Sequence, residues 1–239
     1  YPVWAKLYGL ETEIVPLKSD FTLDADAFIG AKGAVIANPN APTGILEPLE
    51  GIRKIAKSMD GILVLDEAYA AFSSKTAETL LSELHNLVIV RTFSKSHALA
   101  GLRASYVLSS AENIETMRTV KDSFNSFPLD SIAQKAAAAA LNDTAYTDQI
   151  ISKIVSTREQ TAIKLKELGF DVLNSSTNFL FAAPPIDAAL LMRELKNQGI
   201  YVRYFDAPRT KNHLRITIGT DDEMREFIDA AAEIIRKNK

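Results

Sequence analysis

Residues 61–69 read GILVLDEAY, and this stretch decides the fold class. Its apolar run continues without alternation until Asp66, a pattern typical of a parallel strand that is covered on both faces. Residues 33–37 (GAVIA) and 87–90 (LVIV) repeat the pattern. Between the first two runs, residues 47–59 carry apolar side chains at helical spacing. Strands that alternate with helices predict an α/β fold with a mostly parallel sheet.

The rest of the chain predicts a second unit. A further short strand is predicted at Glu13–Val15, and long helices are predicted over residues 111–169, with a break at 127–129. Beyond residue 169, strands are predicted at 170–173, 179–182, 201–203 and 214–218, with helices at 186–198 and 221–237. We therefore expect a large domain over residues 1–140, including the start of a helical neck, and a small C-terminal α/β domain over 141–239.

Composition excludes several classes of function. The net charge is -3, and the basic residues are spread along the chain, so nothing indicates a surface for nucleic acid or an anionic membrane. The chain has no cysteine, which excludes disulfides and thiolate metal sites, and its 3 histidines lack ligand spacing. No apolar run approaches the roughly 20 residues of a membrane helix, and no signal peptide is recognisable. We expect no bound metal and a cytoplasmic location.

Polar residues follow each of the three apolar runs. Asn38–Gly44 follows the first, Asp66–Tyr69 ends the second, and Arg91–Lys95 follows the third, with Arg103 a little further on. Ligands bind at the carboxyl ends of strands in open parallel sheets. A turn, a strand-ending acid and a solvated lysine each have an ordinary structural explanation. Their convergence at one sheet edge favours a functional site.

The chemistry of these residues suits a cofactor that acts as an electron sink. A pyridine ring accepts carbanion charge while its nitrogen is protonated, so it needs a carboxylate partner such as Asp66. A lysine that attaches to a carbonyl is required as well, and Lys95 lies beyond the next strand. Thr92, Ser94 and Arg103 could hold a phosphate, since a guanidinium donates two parallel hydrogen bonds to it.

These motifs resemble those of the class I/II aminotransferases of pyridoxal phosphate fold type I. Ser94-Lys95 followed eight residues later by Arg103 matches the family signature, and Asp66–Tyr69 resembles the stretch that contacts the pyridine ring. The resemblance implies that the cofactor is pyridoxal 5'-phosphate (PLP), carried by Lys95, with Asp66 on the ring nitrogen and Tyr69 on the phenolic oxygen. Lys95, Asp66 and Tyr69 would be catalytic; the cofactor-binding set would be Tyr1, Asn40, Asp66, Ala68, Tyr69, Thr92, Ser94, Lys95 and Arg103.

The sequence departs from the family pattern at two positions. The asparagine that usually precedes Pro-Thr-Gly is Ala41 here, so either Asn40 reaches the phenolic oxygen or Tyr69 serves alone. The glycine that the family usually has two residues after the phosphate arginine is Ser105 here. Tyr1 lies in a Tyr-Pro pair that resembles the family's aromatic-Pro pair, which implies that it stacks on the cofactor ring; the alternative is a frayed terminal residue.

The C-terminal part is similar to the histidinol-phosphate aminotransferases within this family. The resemblance covers residues 199–203 and 213–220, and it implies that Arg203 and Arg215 bind the anionic groups of the substrates. A structural salt bridge is the alternative for each arginine. Asn178 would line the substrate pocket. His97, although next but one to Lys95, is interpreted as structural.

Three functions stay open at this point. The first is transamination in histidine biosynthesis, between L-histidinol phosphate and 2-oxoglutarate or glutamate. The second is another PLP enzyme, such as a threonine-phosphate decarboxylase, and the third is an inactive, truncated chain. We expect the chain to lack the family's N-terminal segment, which holds a phosphate-binding turn and a tyrosine donated to the partner, and therefore not to complete a site alone. A homodimer is expected, as in the family.

Overall fold

The computed structural model describes residues 1–238 and contains two four-stranded sheets. The elements in chain order are α1 (Pro2–Leu7), β1 (Gly33–Ala37), α2 (Leu49–Ser58), β2 (Ile62–Asp66), β3 (Leu87–Thr92), β4 (Ser105–Leu108), α3 (Ala111–Phe124), α4 (Ser131–Asn142), α5 (Thr144–Glu167), β5 (Asp171–Val172), β6 (Phe179–Ala183), α6 (Ala188–Asn197), β7 (Arg203–Tyr204), β8 (Leu214–Thr217) and α7 (Asp221–Asn238). Within residues 1–238, every helix is too short or too polar to cross a membrane.

The first sheet has the strand order β1-β2-β3-β4, and the first three strands are parallel. β4 pairs with β3 in the antiparallel direction. Leu63, Leu65, Leu87 and Ile89 are fully buried on one face, where they pack against α2. The other face is only partly covered within this chain, and Val35 is 44% exposed there. The predicted α/β fold with a mostly parallel sheet is confirmed.

The strand predicted at Glu13–Val15 is wrong. These residues have no regular secondary structure, and β1 pairs only with β2 among the described residues. A short apolar run becomes a strand only when a neighbour takes up its backbone hydrogen bonds.

The chain just after this run instead contacts the C-terminal part of the protein. The Arg209 guanidinium donates to the backbone carbonyls of Leu17 and Lys18, and it lies 5.0 Å from the centroid of the Phe21 ring. Phe21 has φ 65° and meets Phe181 of β6 edge-on, with ring centroids 6.2 Å apart. These contacts hold the loop between β7 and β8 in place.

The second sheet has the order β5-β6-β8-β7 and is antiparallel throughout. Alternation along β6 and β8 gives the sheet two different faces. Leu180, Ala182, Leu214 and Ile216 belong to a core with α5, α6 and α7. The opposite face carries the alternate side chains, which include Arg215. One sheet lies within residues 33–108 and the other within 171–217; the division of the chain into 1–140 and 141–239 stays a prediction.

A buried arginine ties the two sheets together. Arg158 of α5 is 6% exposed, and its Nη1 donates to the carbonyl oxygens of Thr177 (2.7 Å) and Phe72 (3.3 Å). Phe72 follows β2, whereas Thr177 precedes β6. The Nε and Nη2 of Arg158 reach Glu159, which is largely exposed.

A second link between the sheets lies beside the arginine. The Ser176 backbone N–H donates to the Gly44 carbonyl at 2.8 Å. Gly44 has φ 81°, and a Cβ atom at this position would lie 2.7 Å from Ser175 Oγ, so only glycine fits. The turn after β1 and the loop before β6 are therefore in direct contact.

Arg158→Met should lower the free energy of unfolding by about 2–4 kcal/mol, because it leaves two buried carbonyls without their charged donor. Urea unfolding measures the effect. Arg225→Met is the matched control, since Arg225 pairs with Asp222 in a largely exposed ion pair and should change stability by less than about 1 kcal/mol. Equal urea midpoints for Arg158→Met and the wild type would contradict the conclusion that Arg158 holds the two sheets together.

Candidate functional site

The carboxyl ends of β1, β2 and β3 lie side by side. Ala37 pairs with Asp66, and Asp66 pairs with Val90, so the polar residues that follow these strands emerge along one edge of the sheet. Continuous apolar strands bring this about, because the register that buries their side chains also aligns their ends. The edge therefore collects a carboxylate, an amine and several hydroxyl groups from distant parts of the sequence.

Asp66 lies at this edge with both carboxylate oxygens engaged. Its Oδ1 accepts a hydrogen bond from the Ala68 backbone N–H at 3.1 Å, and its Oδ2 accepts one from the Tyr1 phenol. Tyr1 as a residue is 60% exposed, but its hydroxyl group lies against Asp66. Burial of the phenol, with the hydrogen bond and negative charge of Asp66, raises the pKa of Tyr1. Tyr1 thus lies at the site, although its stacking role stays a prediction.

Lys95 and Tyr69 come together at the same edge. The Lys95 Nζ lies 5.6 Å from the centroid of the Tyr69 ring, and Lys95 itself is exposed. Tyr69 in turn meets Phe179 of β6 edge-on, with ring centroids 5.1 Å apart. The amine is therefore free to react, and an aromatic contact connects it to the second sheet.

The three candidate phosphate ligands lie on two neighbouring segments. Thr92 Oγ1 and Ser94 Oγ are 2.9 Å apart, and Thr92 Oγ1 also accepts from the Ser94 N–H. Arg103 is exposed, in the left-handed backbone region with φ 54°, and its Nη1 donates to the Ala100 carbonyl. The Phe93 N–H bonds the carbonyl of the residue next to Arg103, and so joins the two segments.

The turn after β1 is built by asparagine side chains. Asn38 is buried and exchanges hydrogen bonds with the backbone of Glu47. Asn40 Oδ1 accepts from Thr43 Oγ1 at 2.9 Å, so the amide oxygen of Asn40 serves the turn. Both X-Pro bonds of this turn are cis. A contact of Asn40 with a cofactor stays a prediction.

A buried ion pair lies behind the site, and no sequence pattern signalled it. Glu67 is 3% exposed; its Oε2 accepts from Arg91 Nε (3.0 Å) and Nη2 (2.9 Å), and its Oε1 accepts from the Ala77 N–H (2.6 Å). Burial alone would lower the pKa of Arg91, but the hydrogen bonds and charge of Glu67 raise it. This pair fixes the end of β2 next to Asp66 against the end of β3 next to Thr92.

Two arginines face each other on the second sheet. Arg203 of β7 pairs directly with Arg215 of β8, so both side chains leave the same face. The Arg215 Cζ lies 5.2 Å from the Phe179 ring centroid and 5.7 Å from that of Phe205, and the Arg203 Cζ lies 5.4 Å from the Phe205 ring. The Nε of Arg215 is buried without a hydrogen-bond partner. Among residues 1–238, neither arginine forms a salt bridge with a carboxylate.

Asn178 and His97 lie at the margins of this arrangement. Asn178 is half-buried beside Phe179, and its backbone carbonyl accepts from the Ile218 N–H at 2.9 Å. His97 bonds the Ser96 hydroxyl through Nδ1 and packs on Phe93, and burial lowers the pKa of His97. The contacts of His97 are structural ones. A substrate contact of Asn178 stays a prediction.

The polar groups at this edge fit PLP chemically. Asp66 offers a carboxylate for a ring nitrogen, Lys95 an exposed amine, and Thr92, Ser94 and Arg103 hydroxyl and guanidinium donors for a phosphate. The consecutive contacts Lys95–Tyr69–Phe179–Arg215 lead from this edge to the arginine pair. The arrangement can hold a phosphorylated aromatic ring beside an anionic substrate.

The phenol–carboxylate contact is testable by titration. Asp66→Asn should lower the pKa of Tyr1 part of the way towards the ordinary tyrosine value of about 10, because a negative neighbour disfavours loss of the phenol proton while burial remains. The chain has 7 tyrosines, so the signal of Tyr1 is the difference in ultraviolet absorbance between each protein and the same protein carrying Tyr1→Phe.

Asp222→Asn is the control for this titration, because Asp222 is exposed on α7 in an ion pair with Arg225. It should leave the pKa of Tyr1 at the wild-type value. If Asp66→Asn also leaves that pKa unchanged, the contact between Tyr1 and Asp66 does not exist in solution.

Comparison with known proteins identifies the family of this chain. Residues 1–230 match the family model described as aminotransferase class I and II. A histidinol-phosphate aminotransferase of Gluconacetobacter diazotrophicus is 44% identical, over 100% of this chain and 68% of the relative. One of Clostridium acetobutylicum is also 44% identical, over 98% of this chain and 68% of the relative. This chain thus spans about two thirds of the length of these relatives.

A solved structure shows the same architecture. The histidinol-phosphate aminotransferase of Sinorhizobium meliloti, in complex with pyridoxal-5'-phosphate, superposes with a TM-score of 0.87 at 28% identity. The match covers 99% of this chain and 68% of that one. The expected fold type I is therefore confirmed. With the family model matching residues 1–230, the chain belongs to the class I and II aminotransferases.

Proposed function

We propose that this chain acts in the PLP-dependent exchange of an amino group between L-histidinol phosphate and 2-oxoglutarate or glutamate, a step of histidine biosynthesis. The observation that carries the proposal is the line of contacts from the Lys95 amine through Tyr69 and Phe179 to Arg215, with Arg203 opposite. The Lys95 amine and the arginine pair thus lie on opposite sides of the contact between Tyr69 and Phe179.

PLP, when bound, supplies an electron-accepting ring that makes the bonds at the amine-bearing carbon of the substrate labile. Asp66 would hold the proton on the ring nitrogen, and Tyr69 would bond the phenolic oxygen. The remaining predicted ligands would orient the ring and phosphate: Tyr1, Asn40, Ala68, Thr92, Ser94 and Arg103. The Sinorhizobium meliloti relative was solved in complex with this cofactor, which supports the assignment.

Lys95 would carry the cofactor and, once released, move the proton. Its amine would take the proton from the amine-bearing carbon of the substrate and would then donate it to a carbon of the cofactor. This proton transfer is general acid–base catalysis. The side chain is exposed at the strand edge, so it has the freedom to serve both positions. The Tyr69 ring beside it would limit where the amine can swing.

The arginine pair would let one site accept both amino donors. Histidinol phosphate carries a phosphate and no α-carboxylate, whereas glutamate carries two carboxylates. A guanidinium forms the same two parallel hydrogen bonds with either group. The structural salt bridge that is the alternative for these arginines finds no partner among residues 1–238. The unsatisfied Nε of Arg215 supports an anion as the missing acceptor.

The other functions have less support. An L-threonine-O-3-phosphate decarboxylase from Porphyromonas gingivalis is similar at 23% identity, which reflects the shared fold alone. The relatives at 41–45% identity are named histidinol-phosphate aminotransferases. Two assays separate these activities: an aminotransferase transfers the amino group to 2-oxoglutarate, whereas the decarboxylase releases carbon dioxide from threonine phosphate. The proposed enzyme would work in the cytoplasm as a homodimer.

Lys95→Ala should abolish covalent attachment of PLP and lower amino transfer by at least about 100-fold, since both need this amine. Borohydride reduction followed by peptide mass spectrometry measures the attachment, and an assay with histidinol phosphate and 2-oxoglutarate measures the transfer. Lys164→Ala is the control, because Lys164 is exposed on α5 and pairs with Glu167. Retention of the PLP label on another lysine in the Lys95 variant would refute the assignment.

Arg215→Ala should lower the specificity constants for glutamate and for histidinol phosphate by at least about 30-fold, because each loses a charged hydrogen-bond partner. Arg215→Lys should restore part of the loss, since an ammonium keeps the charge but not the two parallel donors. Arg225→Ala serves as the control, because Arg225 is exposed on α7. Values within about threefold of wild type for Arg215→Ala would make Arg215 structural.

A further inference from the structure

The two arginines share one aromatic ring. Phe205 is half-buried in the loop that follows β7, and the guanidinium carbons of Arg203 and Arg215 lie 5.4 and 5.7 Å from its ring centroid. Arg215 also lies over Phe179, at 5.2 Å. Each distance is within the range of a cation–π contact, and guanidinium groups prefer such contacts with the face of a ring. Phe205 therefore contacts both cations at once.

The arrangement needs a compensating interaction. Like charges directly opposite each other on antiparallel strands destabilise the pair. Proteins usually compensate with a carboxylate, but within the described part of the chain no carboxylate forms a salt bridge with either arginine. The negative faces of the two phenylalanine rings supply the attraction instead.

An aromatic ring compensates charge differently from a carboxylate. A carboxylate would accept hydrogen bonds from the guanidinium N–H groups and so occupy the donors that an anion needs. A ring face attracts the cation but leaves those N–H groups free at the edge of the guanidinium plane. The buried Nε of Arg215 is such a free donor.

We propose that Phe205 is a positioning residue, which holds Arg203 and Arg215 as an oriented anion-binding pair with their donors free. The inference rests on the proposed function and deepens it, because the ligand class would be any substrate group with carboxylate or phosphate oxygens. Phe205 orients both arginines, so its loss affects both amino donors together.

Three substitutions of Phe205 distinguish the effect of its aromatic face from the effect of its side-chain volume. Phe205→Leu keeps an apolar side chain but removes the aromatic face, and it should raise KM for glutamate and for histidinol phosphate by about tenfold with kcat within about twofold. Phe205→Tyr keeps the face and should stay within about twofold in both constants. Phe205→Glu should form an internal salt bridge with the arginines, so it should raise the melting temperature while it weakens anion binding.

The readouts include one that does not need turnover. Binding of inorganic phosphate to the PLP-loaded protein, measured by calorimetry, should weaken in the order wild type and Phe205→Tyr, then Phe205→Leu, then Phe205→Glu. Tyr201→Leu is the matched control, because Tyr201 is an aromatic residue of the same segment that is 77% exposed. Its constants should equal those of the wild type.

The outcomes distinguish this inference from the proposed function. If Phe205→Leu leaves KM and phosphate binding unchanged while Arg215→Ala impairs them, the positioning role is overturned and the function stands. If amino transfer with histidinol phosphate is absent but phosphate binding follows the order above, the positioning role stands and the function falls. If the wild type binds neither phosphate nor 2-oxoglutarate, both are overturned.

Discussion

The residues of the candidate site are divided between two sheets, and the buried Arg158 guanidinium fixes how the two parts meet. A charge at 6% exposure is tolerated only when its donors are satisfied, and here the acceptors include main-chain carbonyls of Phe72 and Thr177. Phe72 lies three residues after Tyr69, and Thr177 lies two residues before Phe179. One arginine thus holds both backbones that carry the Tyr69–Phe179 contact. The distance between Lys95 and the two arginines that we propose to bind anions depends on this contact.

Within the first sheet, the parallel register has the corresponding role. It aligns the ends of β1, β2 and β3, but alignment alone would leave each strand end free to fray. The Glu67–Arg91 pair prevents this, since it joins the residue after Asp66 to the residue before Thr92. The Glu67 carboxylate is almost fully buried, so removal of either partner would leave the other as a buried charge without a counter-ion. The polar edge is therefore supported by a buried ion pair.

The sequence predicted the elements that have a simple periodicity. The continuous apolar runs became β1, β2 and β3, and the strand predicted at 214–218 became β8, Leu214–Thr217. The structure then shows that Arg215 lies on the face away from the helices. Glu13–Val15 failed because a strand needs a partner that local pattern does not reveal. Arg158 and Phe205 could not be predicted, because their roles come from contacts between residues far apart in the chain or from ring–cation geometry. The motif around Lys95 carried a specific signal only through its family resemblance.

The two parts of the candidate site differ in how far their polar groups are already hydrogen-bonded within the protein. On the first sheet, Asp66 already accepts hydrogen bonds from the Ala68 N–H and the Tyr1 phenol, so a ring nitrogen would share the carboxylate with two existing donors. On the second sheet, Arg215 keeps a buried donor with no acceptor, and Arg203 lies directly opposite with the same charge. An anion there would supply an acceptor to the buried Nε of Arg215 and would offset the repulsion between the two guanidinium groups. Its binding should therefore stabilise the fold, because a ligand that binds only the native state shifts the unfolding equilibrium.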